Sequence, residues 1–273
     1  MQGFSVDYRR CTHCGLCLAA CGRNVLRDNG EGAPVAPHER LALCNGCGHC
    51  SAVCPAGAVI SPKCNHETAV PLDPKLTVSH GQASQFLLSC RSIRLFEEQN
   101  VAKDDIVEML ELARKAPTAS NAQPVRWLVI DGREKMRRIS ELTIDWFDTV
   151  VRNDPGHTGT YNVDYVVSRF KSGYDIILRG APNAVCAITD KTYSWGLTDS
   201  CIAMTYFCLA AHGKNIGSCW AGYVMRAAMT YAPLREYLNL GDDSSAHAIA
   251  FFGYPGIQYT AIPPRKALRV EWL

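Results

Sequence analysis

Two cysteine runs constrain this chain more than any other feature. Cys11, Cys14, Cys17 and Cys21 stand as C-x2-C-x2-C-x3-C, and Cys44, Cys47, Cys50 and Cys54 repeat that spacing. The remaining cysteines of the 14 (Cys64, Cys90, Cys186, Cys201, Cys208 and Cys219) are scattered, and a buried thiol packs as a small apolar residue. Short paired spacings signify metal in a reducing compartment, where disulfides do not persist. Zinc prefers two C-x2-C pairs closing one tetrahedron. A triplet plus a more distant fourth thiolate, present twice, suits cubane iron–sulfur clusters instead. Three close thiolates grip one cluster, and the fourth lies too far along the chain for that cluster and reaches the other. The second run ends in Cys54-Pro55, as that pattern has it. The first ends in Cys21-Gly22, a departure that alters a turn and removes no ligand. His13 and His49 occupy positions within the runs that need no particular side chain.

A chain of 273 residues is long enough for two domains. Its 47% hydrophobic and 20% charged residues describe a soluble globular protein. A net charge of +2 gives no basic field for nucleic acid. No apolar run approaches the ~20 residues of a membrane helix, and the N-terminus lacks the basic-then-apolar pattern of a secretory signal, so the expected location is the cytoplasm. Residues 1–66 are rich in Cys, Gly and Pro, and a core that small needs staples. Residues 67–83, with Pro71 and Pro74 and no periodicity, read as an extended linker.

From residue 84 helices and strands alternate, which gives an α+β class. Ile106, Val107, Leu110 and Ala113 mark a helix within 101–116 that Pro117 stops. Strands are expected at 125–131, 183–189 and 246–255. Further helices are expected at 133–151, within 164–178, and at 198–211, the last with Thr198 or Asp199 as N-cap and Gly213 as stop.

Four segments of this second part carry chemistry. Arg91, Ser92 and Arg94 in "SCRSIRLFEE" make an oxyanion grip of two guanidinium forks and a hydroxyl. Thr118, Ser120, Asn121 and Gln123, between a helix end and a strand, offer hydrogen bonds to the polar edge of a flat heterocycle. Small residues in "NIGSCWAGYV", 215–224, let backbone N–H groups approach a planar ring. Arg265 and Lys266 end the last segment as a cationic pair.

Residues 4 to about 62 resemble a bacterial-type two-cluster ferredoxin. That resemblance implies one [4Fe-4S] cluster on Cys11, Cys14, Cys17 and Cys54 and a second on Cys44, Cys47, Cys50 and Cys21. The four later segments, in their order, resemble the nitroreductase-like flavoproteins over 84–273. The fold so implied is a small ferredoxin-type N-terminal domain, 1–66, a linker, 67–83, and a nitroreductase-like α+β sandwich domain, 84–273. The family forms an intertwined homodimer with FMN at the subunit interface. By position, Arg91, Ser92 and Arg94 match the "RRSxR" grip on FMN, and Arg265, with Lys266 beside it, matches a late phosphate cation. Thr118, Ser120 and Asn121, with Gln123 following, match a "PSxxN" loop that reaches the partner's FMN. Ala221 and Gly222 match backbone donors beside flavin N5. Two departures stand out: Cys90 occupies the position of the first arginine, and Val125 follows Gln-Pro where an aromatic is common, with Trp127 near enough to fill that space. Cys219 reads as a packed or a redox-active thiol, and Trp220 as pocket wall or core filler.

The activity implied is an FMN-dependent oxidoreductase. Electrons from a low-potential donor such as ferredoxin pass singly through two [4Fe-4S] clusters to FMN. They pass on in pairs to a small organic acceptor: a nitroaromatic, a quinone or an activated alkene. The alternatives are an electron-transfer module that docks to a partner enzyme, an NAD(P)H-dependent nitroreductase, and a zinc-stapled interaction protein. No dinucleotide-binding G-x-G-x-x-G follows a strand, but the family does not use one. No catalytic acid–base residue is assigned; Tyr223, Tyr254 and His247 carry too little signal for one.

Overall fold

The computed structural model describes residues 3–62, 64, 69–153 and 162–273, so residues 67 and 68 of the expected linker lie outside it. Two compact units result: residues 1–77 with 120–122, and residues 78–119 with 123–273.

In the first unit, β1 (Ser5–Val6) pairs antiparallel with β4 (Val59–Ile60), and β2 (Arg27–Asp28) with β3 (Pro34–Val35). The β2–β3 turn is held by side chains. Asp28 Oδ1 accepts from the Gly30 and Gly32 amides, 2.6 and 2.9 Å, which holds its carboxyl below the usual range. The helices are short: α1 (Leu16–Ala20), α2 (His38–Leu41) and α3 (His49–Ala52). α1 and α3 start at the same place in the two cysteine runs, after Gly15 (φ 70°) and Gly48 (φ 76°). A side chain at those left-handed positions would clash with its own backbone, so glycine lets the chain turn between the second and third thiols. The core gathers Cys17, Leu26 and Val59, with Phe4, Leu18, Ala36, Cys21, Cys50 and Cys54 packed against them.

Residues 80–83 correct the extended-linker expectation, because they open a helix. α4 (His80–Ser89) begins at a capping box in which Ser79 Oγ accepts from the Gln82 amide and Gln82 Oε1 accepts from the Ser79 amide. The two prolines sit upstream of this start, one of them in a 3-10 turn, Pro74–Leu76.

The second unit is built on one antiparallel sheet. Along the chain come α5 (Lys103–Ala113), β5 (Arg126–Asp131), α6 (Arg133–Trp146) running into a π-turn at Phe147–Val151, α7 (Val163–Lys171) and β6 (Asn183–Asp190). Then come α8 (Gly196–Gly213), β7 (Gly217–Trp220), α9 (Gly222–Thr230), α10 (Ala232–Tyr237) and β8 (Ser244–Gly253). The strand order is β5-β6-β8-β7. β6 is central, and its residues 183–189 are all buried because both faces of the sheet are covered. Ala184, Cys186 and Ile188 face a core with Ile139, Phe147, Leu178 and Val224. Val185 and Ala187 face another with Met109, Met204, Phe207 and Phe252. Helices on both sides of an antiparallel sheet make the α+β sandwich. A register shift between Ala187 and Ile188 pairs Ala187 with Ala248 and Ile188 with Ala246, so His247 sits on a bulge. Among the described residues no helix is long and apolar enough to cross a membrane.

α8 also departs from expectation at its start. It begins two residues early, at Gly196, with Trp195 as an N-cap that makes no side-chain hydrogen bond, so neither Thr198 nor Asp199 is the cap. Asp199 lies in the first turn, buried, with its carboxylate turned to other partners. The helix does end at Gly213, and Asn215, at φ 57°, makes the left-handed turn beyond it.

Candidate cofactor sites

The cysteine runs meet across the first unit. Burial raises the Cys17 thiol, and Cys54 and Cys14 add like charge to it. Burial pushes Cys50 up to about 11, with Cys21 and Cys47 as its like-charge neighbours. The like-charge neighbours thus cross between the runs, Cys54 beside Cys17 and Cys21 beside Cys50. The backbone treats the two fourth thiols alike, four residues on in each run: the Val25 amide donates to Cys21 Sγ and the Ala58 amide to Cys54 Sγ, both at 3.3 Å. N–H donors to sulfur stabilise thiolate and tune the potential of whatever the thiolate binds. Near the surface, the Leu16 amide and the Thr12 hydroxyl hold Cys14 below its ordinary value. Among the described residues no three His, Cys, Asp or Glu side chains stand together as a ready-made site for a single metal ion.

Cys64 packs beside the second run. A Cβ on Gly48 would stand 2.7 Å from Cys64 Cβ, and the Cys64 carbonyl accepts from Ser51 Oγ and Ser61 Oγ, both at 3.0 Å.

In the second unit, the arginine–serine segment runs along the edge of the sheet. Ser92 bridges to Ser218 of β7, and the Ile93 amide donates to the Ser218 carbonyl at 3.0 Å. Gly217 permits this approach, since a Cβ there would meet Ile93 Cγ1 at 2.5 Å. Arg91 is half-buried and Arg94 exposed. Among the described residues neither guanidinium has an ion-pair or hydrogen-bond partner. Arg91 lowers the neighbouring Cys90 thiol, but burial outweighs it and the thiol is raised overall. Arg265 and Lys266 lie exposed in the terminal stretch, 254–273, which has no helix or strand.

The loop expected to offer polar atoms is tightly folded. Ser120, Asn121 and Gln123 all adopt positive φ, 52°, 57° and 50°. The Gln123 amide donates to Thr118 Oγ1 at 3.0 Å, and Asn121 Nδ2, within the first unit, donates to the Asn45 carbonyl at 3.2 Å. The Ala119 amide donates to both oxygens of Asp199, each at 3.2 Å, and Tyr193 Oη donates to Asp199 Oδ2 at 2.8 Å. Burial, then the Asp199 carboxylate, pushes the Tyr193 phenol up to about 12. Sequence reasoning missed Asp199 and Tyr193 as loop anchors. The available signal was a carboxylate inside an otherwise apolar helical run, and it reads locally as a cap.

One expected donor is not available. The Ala221 amide donates to the Ile249 carbonyl at 2.8 Å, prolonging the β7–β8 pairing. Among the described residues the Gly222 amide, at the first residue of α9, has no hydrogen-bond partner. A Cβ there would meet nothing within 4 Å, so the space over it is open. Beside it Trp220 is 38% exposed, too open to be core filler, while Cys219 is buried. Trp127 packs inward, 6.2 Å from Phe207, against the same core as Val125.

Fold and sites together define a two-part redox protein, a ferredoxin-type unit joined to an α+β sandwich oxidoreductase. Residues 87–254, more than half of the chain, match the model of the Nitroreductase family, and the chain belongs to that family. Residues 10–58 match the 4Fe-4S dicluster domain. A putative NADH dehydrogenase/NAD(P)H nitroreductase of Archaeoglobus fulgidus is 27% identical over 168 residues, 60% of this chain and 80% of that protein. An iodotyrosine deiodinase of Thermotoga neapolitana is 23% identical over 168 residues, 60% of this chain and 84% of that protein. Among solved structures, a nitroreductase with bound FMN from Bacteroides fragilis matches with a TM-score of 0.57 at 17% identity, covering 70% of this chain and 99% of that one. Another with bound FMN, from Desulfitobacterium hafniense, has a TM-score of 0.57 at 20% identity, covering 69% of this chain and 97% of that one. The structural likenesses show the fold.

Proposed function

We propose that the chain is an FMN-dependent oxidoreductase whose N-terminal domain, about residues 1–66, holds two [4Fe-4S] clusters. One is held by Cys11, Cys14, Cys17 and Cys54, the other by Cys44, Cys47, Cys50 and Cys21. The observation that supports this reading is the pair of matched cysteine runs whose Cys17, Cys21, Cys50 and Cys54 pack on one small core, within a match to the 4Fe-4S dicluster domain in a chain of the nitroreductase family. When bound, the clusters supply single electrons, and the flavin exchanges two with a small organic acceptor such as a nitroaromatic, a quinone or an activated alkene.

The chain's own residues fit an FMN. A phosphate is roughly a dianion and its burial needs paired cations. Arg91 and Arg94 are unpartnered among the described residues and held at a sheet edge, with Ser92 between them. Arg265 and Lys266 add cations from the terminal stretch. At Gly222 a side chain would meet nothing within 4 Å, which leaves the backbone at the start of α9 open to a planar ring. Thr118, Ser120, Asn121 and Gln123 belong to a loop that, in a homodimer, serves the partner's flavin. The working compartment in this reading is the cytoplasm, and the donor is a low-potential protein such as ferredoxin.

A second reading has NADH or NADPH reduce the flavin directly, and the naming of the Archaeoglobus relative as an NAD(P)H nitroreductase favours it. Anaerobic purification, with iron, sulfide and FMN assays, comes first. Spectral titration with reduced ferredoxin, and separately with NADH and NADPH, then discriminates. Bleaching of both chromophores by ferredoxin alone is expected. Rapid flavin reduction by a nicotinamide would favour the second reading, and a colourless protein without iron or FMN would overturn both.

A further inference from the structure

We propose that Asp199, with Tyr193, is a positioning residue that holds the 118–123 loop in its flavin-binding shape; this rests on the FMN reading above. Asp199 is 2% exposed. Its partners are the Ala119 amide, reached by both carboxylate oxygens, and the Tyr193 hydroxyl. Among the described residues no cation pairs with it. The first turn of α8 places it where the helix dipole favours negative charge. A buried carboxylate without a cation is poor value for stability alone, since an apolar side chain of similar size serves a core as well or better. Here its acceptor capacity is directed at a single loop.

That loop needs holding. Ser120, Asn121 and Gln123 are three non-glycine residues at positive φ within four positions, a conformation that survives only where the surroundings impose it. Asp199 fixes the loop at Ala119, and Thr118 Oγ1 fixes its far end by accepting from the Gln123 amide. Tyr193 contributes twice, to Asp199 at 2.8 Å and to the Ala119 carbonyl at 3.5 Å. Removing the carboxylate frees the Ala119 amide and misplaces the neighbouring polar atoms of Thr118 and Gln123, which belong to the same unit as Asp199.

The test uses the full chain, purified anaerobically, as Asp199→Ala, Asp199→Asn and Tyr193→Phe beside wild type. FMN affinity is read by fluorescence quenching, and melting is followed with and without excess FMN. Asp199→Ala should weaken FMN binding by about tenfold or more, the cost of misplacing a positioned group. Asp199→Asn, which keeps one acceptor for Ala119, should recover part of the loss, and Tyr193→Phe should lose about threefold on the same basis. The stabilisation conferred by FMN should shrink in the same order. A purely structural role would lower the melting temperature of the FMN-free protein and leave the FMN increment intact; that result, or wild-type FMN affinity in both Asp199→Ala and Tyr193→Phe, overturns the proposal. If Asp199→Ala does not fold, Asp199→Asn and Tyr193→Phe carry the test. A wild-type chain that binds no FMN overturns the functional reading itself, and is told apart by that control.

Discussion

Among the described residues of the first unit the buried apolar side chains are Cys17, Val25, Leu26, Ala33, Ala58 and Val59, and three more thiols, Cys21, Cys50 and Cys54, press on the same small core. In the second, Phe147, Phe207, Phe252, Met109, Met204, Leu178 and Leu234 are fully buried around a four-stranded sheet. The contrast concerns what keeps each part folded. A few small side chains do not offset the conformational entropy of some seventy residues, so on the proposed reading the bound clusters tie the thiols together. The second unit buries enough hydrocarbon on both faces of its sheet to hold without such ties.

The strongest way to break this comparison is to take the metal away. Anaerobic chelation, or Cys17→Ala with Cys50→Ala, should abolish amide-exchange protection over residues 4–62 and leave β6 and β8 protected. Mass-spectrometric exchange reads both regions at once, and an equally protected first unit without iron would end the argument. The converse variant is Phe252→Ala, which empties the space between α5, α8 and the sheet. It should cost about 3–5 kcal/mol in the urea transition of the second unit while iron per chain stays unchanged. Gly217→Ala sharpens the edge of the comparison. Its new methyl meets Ile93 side-chain atoms at 2.5 to 3.0 Å, so a loss of about 1–3 kcal/mol is expected from overpacking. Displacement of Arg91 and Arg94 should weaken FMN binding with it.

The smallest effect is a pH dependence confined to the second unit. Burial lowers the proton affinity of both His212 and His247 below the ordinary 6.5. The unfolded chain then binds more protons than the folded one as pH falls below that value, so the stabilising contribution is full above 6.5 and declines beneath it. Urea midpoints measured from pH 7.5 to 5.5 should fall with pH, and His247→Gln should flatten part of the slope. A midpoint that rises on acidification would contradict the burial of these rings.

Much of this architecture was legible beforehand, for reasons that differ by element. β5 and β6 follow from runs of β-branched and apolar residues next to turn signals, and α5 from its periodicity and Pro117. The start of α4 was not read as helix, although Ser79 and Gln82 stand at capping-box spacing, because the prolines upstream suggested extended chain. Asp199 was read as a cap because caps are local and common. Its true partners, Ala119 and Tyr193, meet it through folding, and one of them is 80 residues distant. Ala221 was expected to offer its amide, and the strand lying beside it took that amide instead.

The order and spacing of the residues alone determined the two matched cysteine runs, the α+β alternation and the Arg91–Ser92–Arg94 segment. Each depends on distances of a few residues, which the covalent chain and its preferred dihedrals set directly. Only the tertiary structure decided that the Ala221 amide goes to the Ile249 carbonyl, that Asp199 accepts from the Ala119 amide, and that two guanidiniums stand unpartnered among the described residues. A hydrogen-bonding group takes whichever partner the packing brings within reach, and that choice is made between segments far apart in the chain.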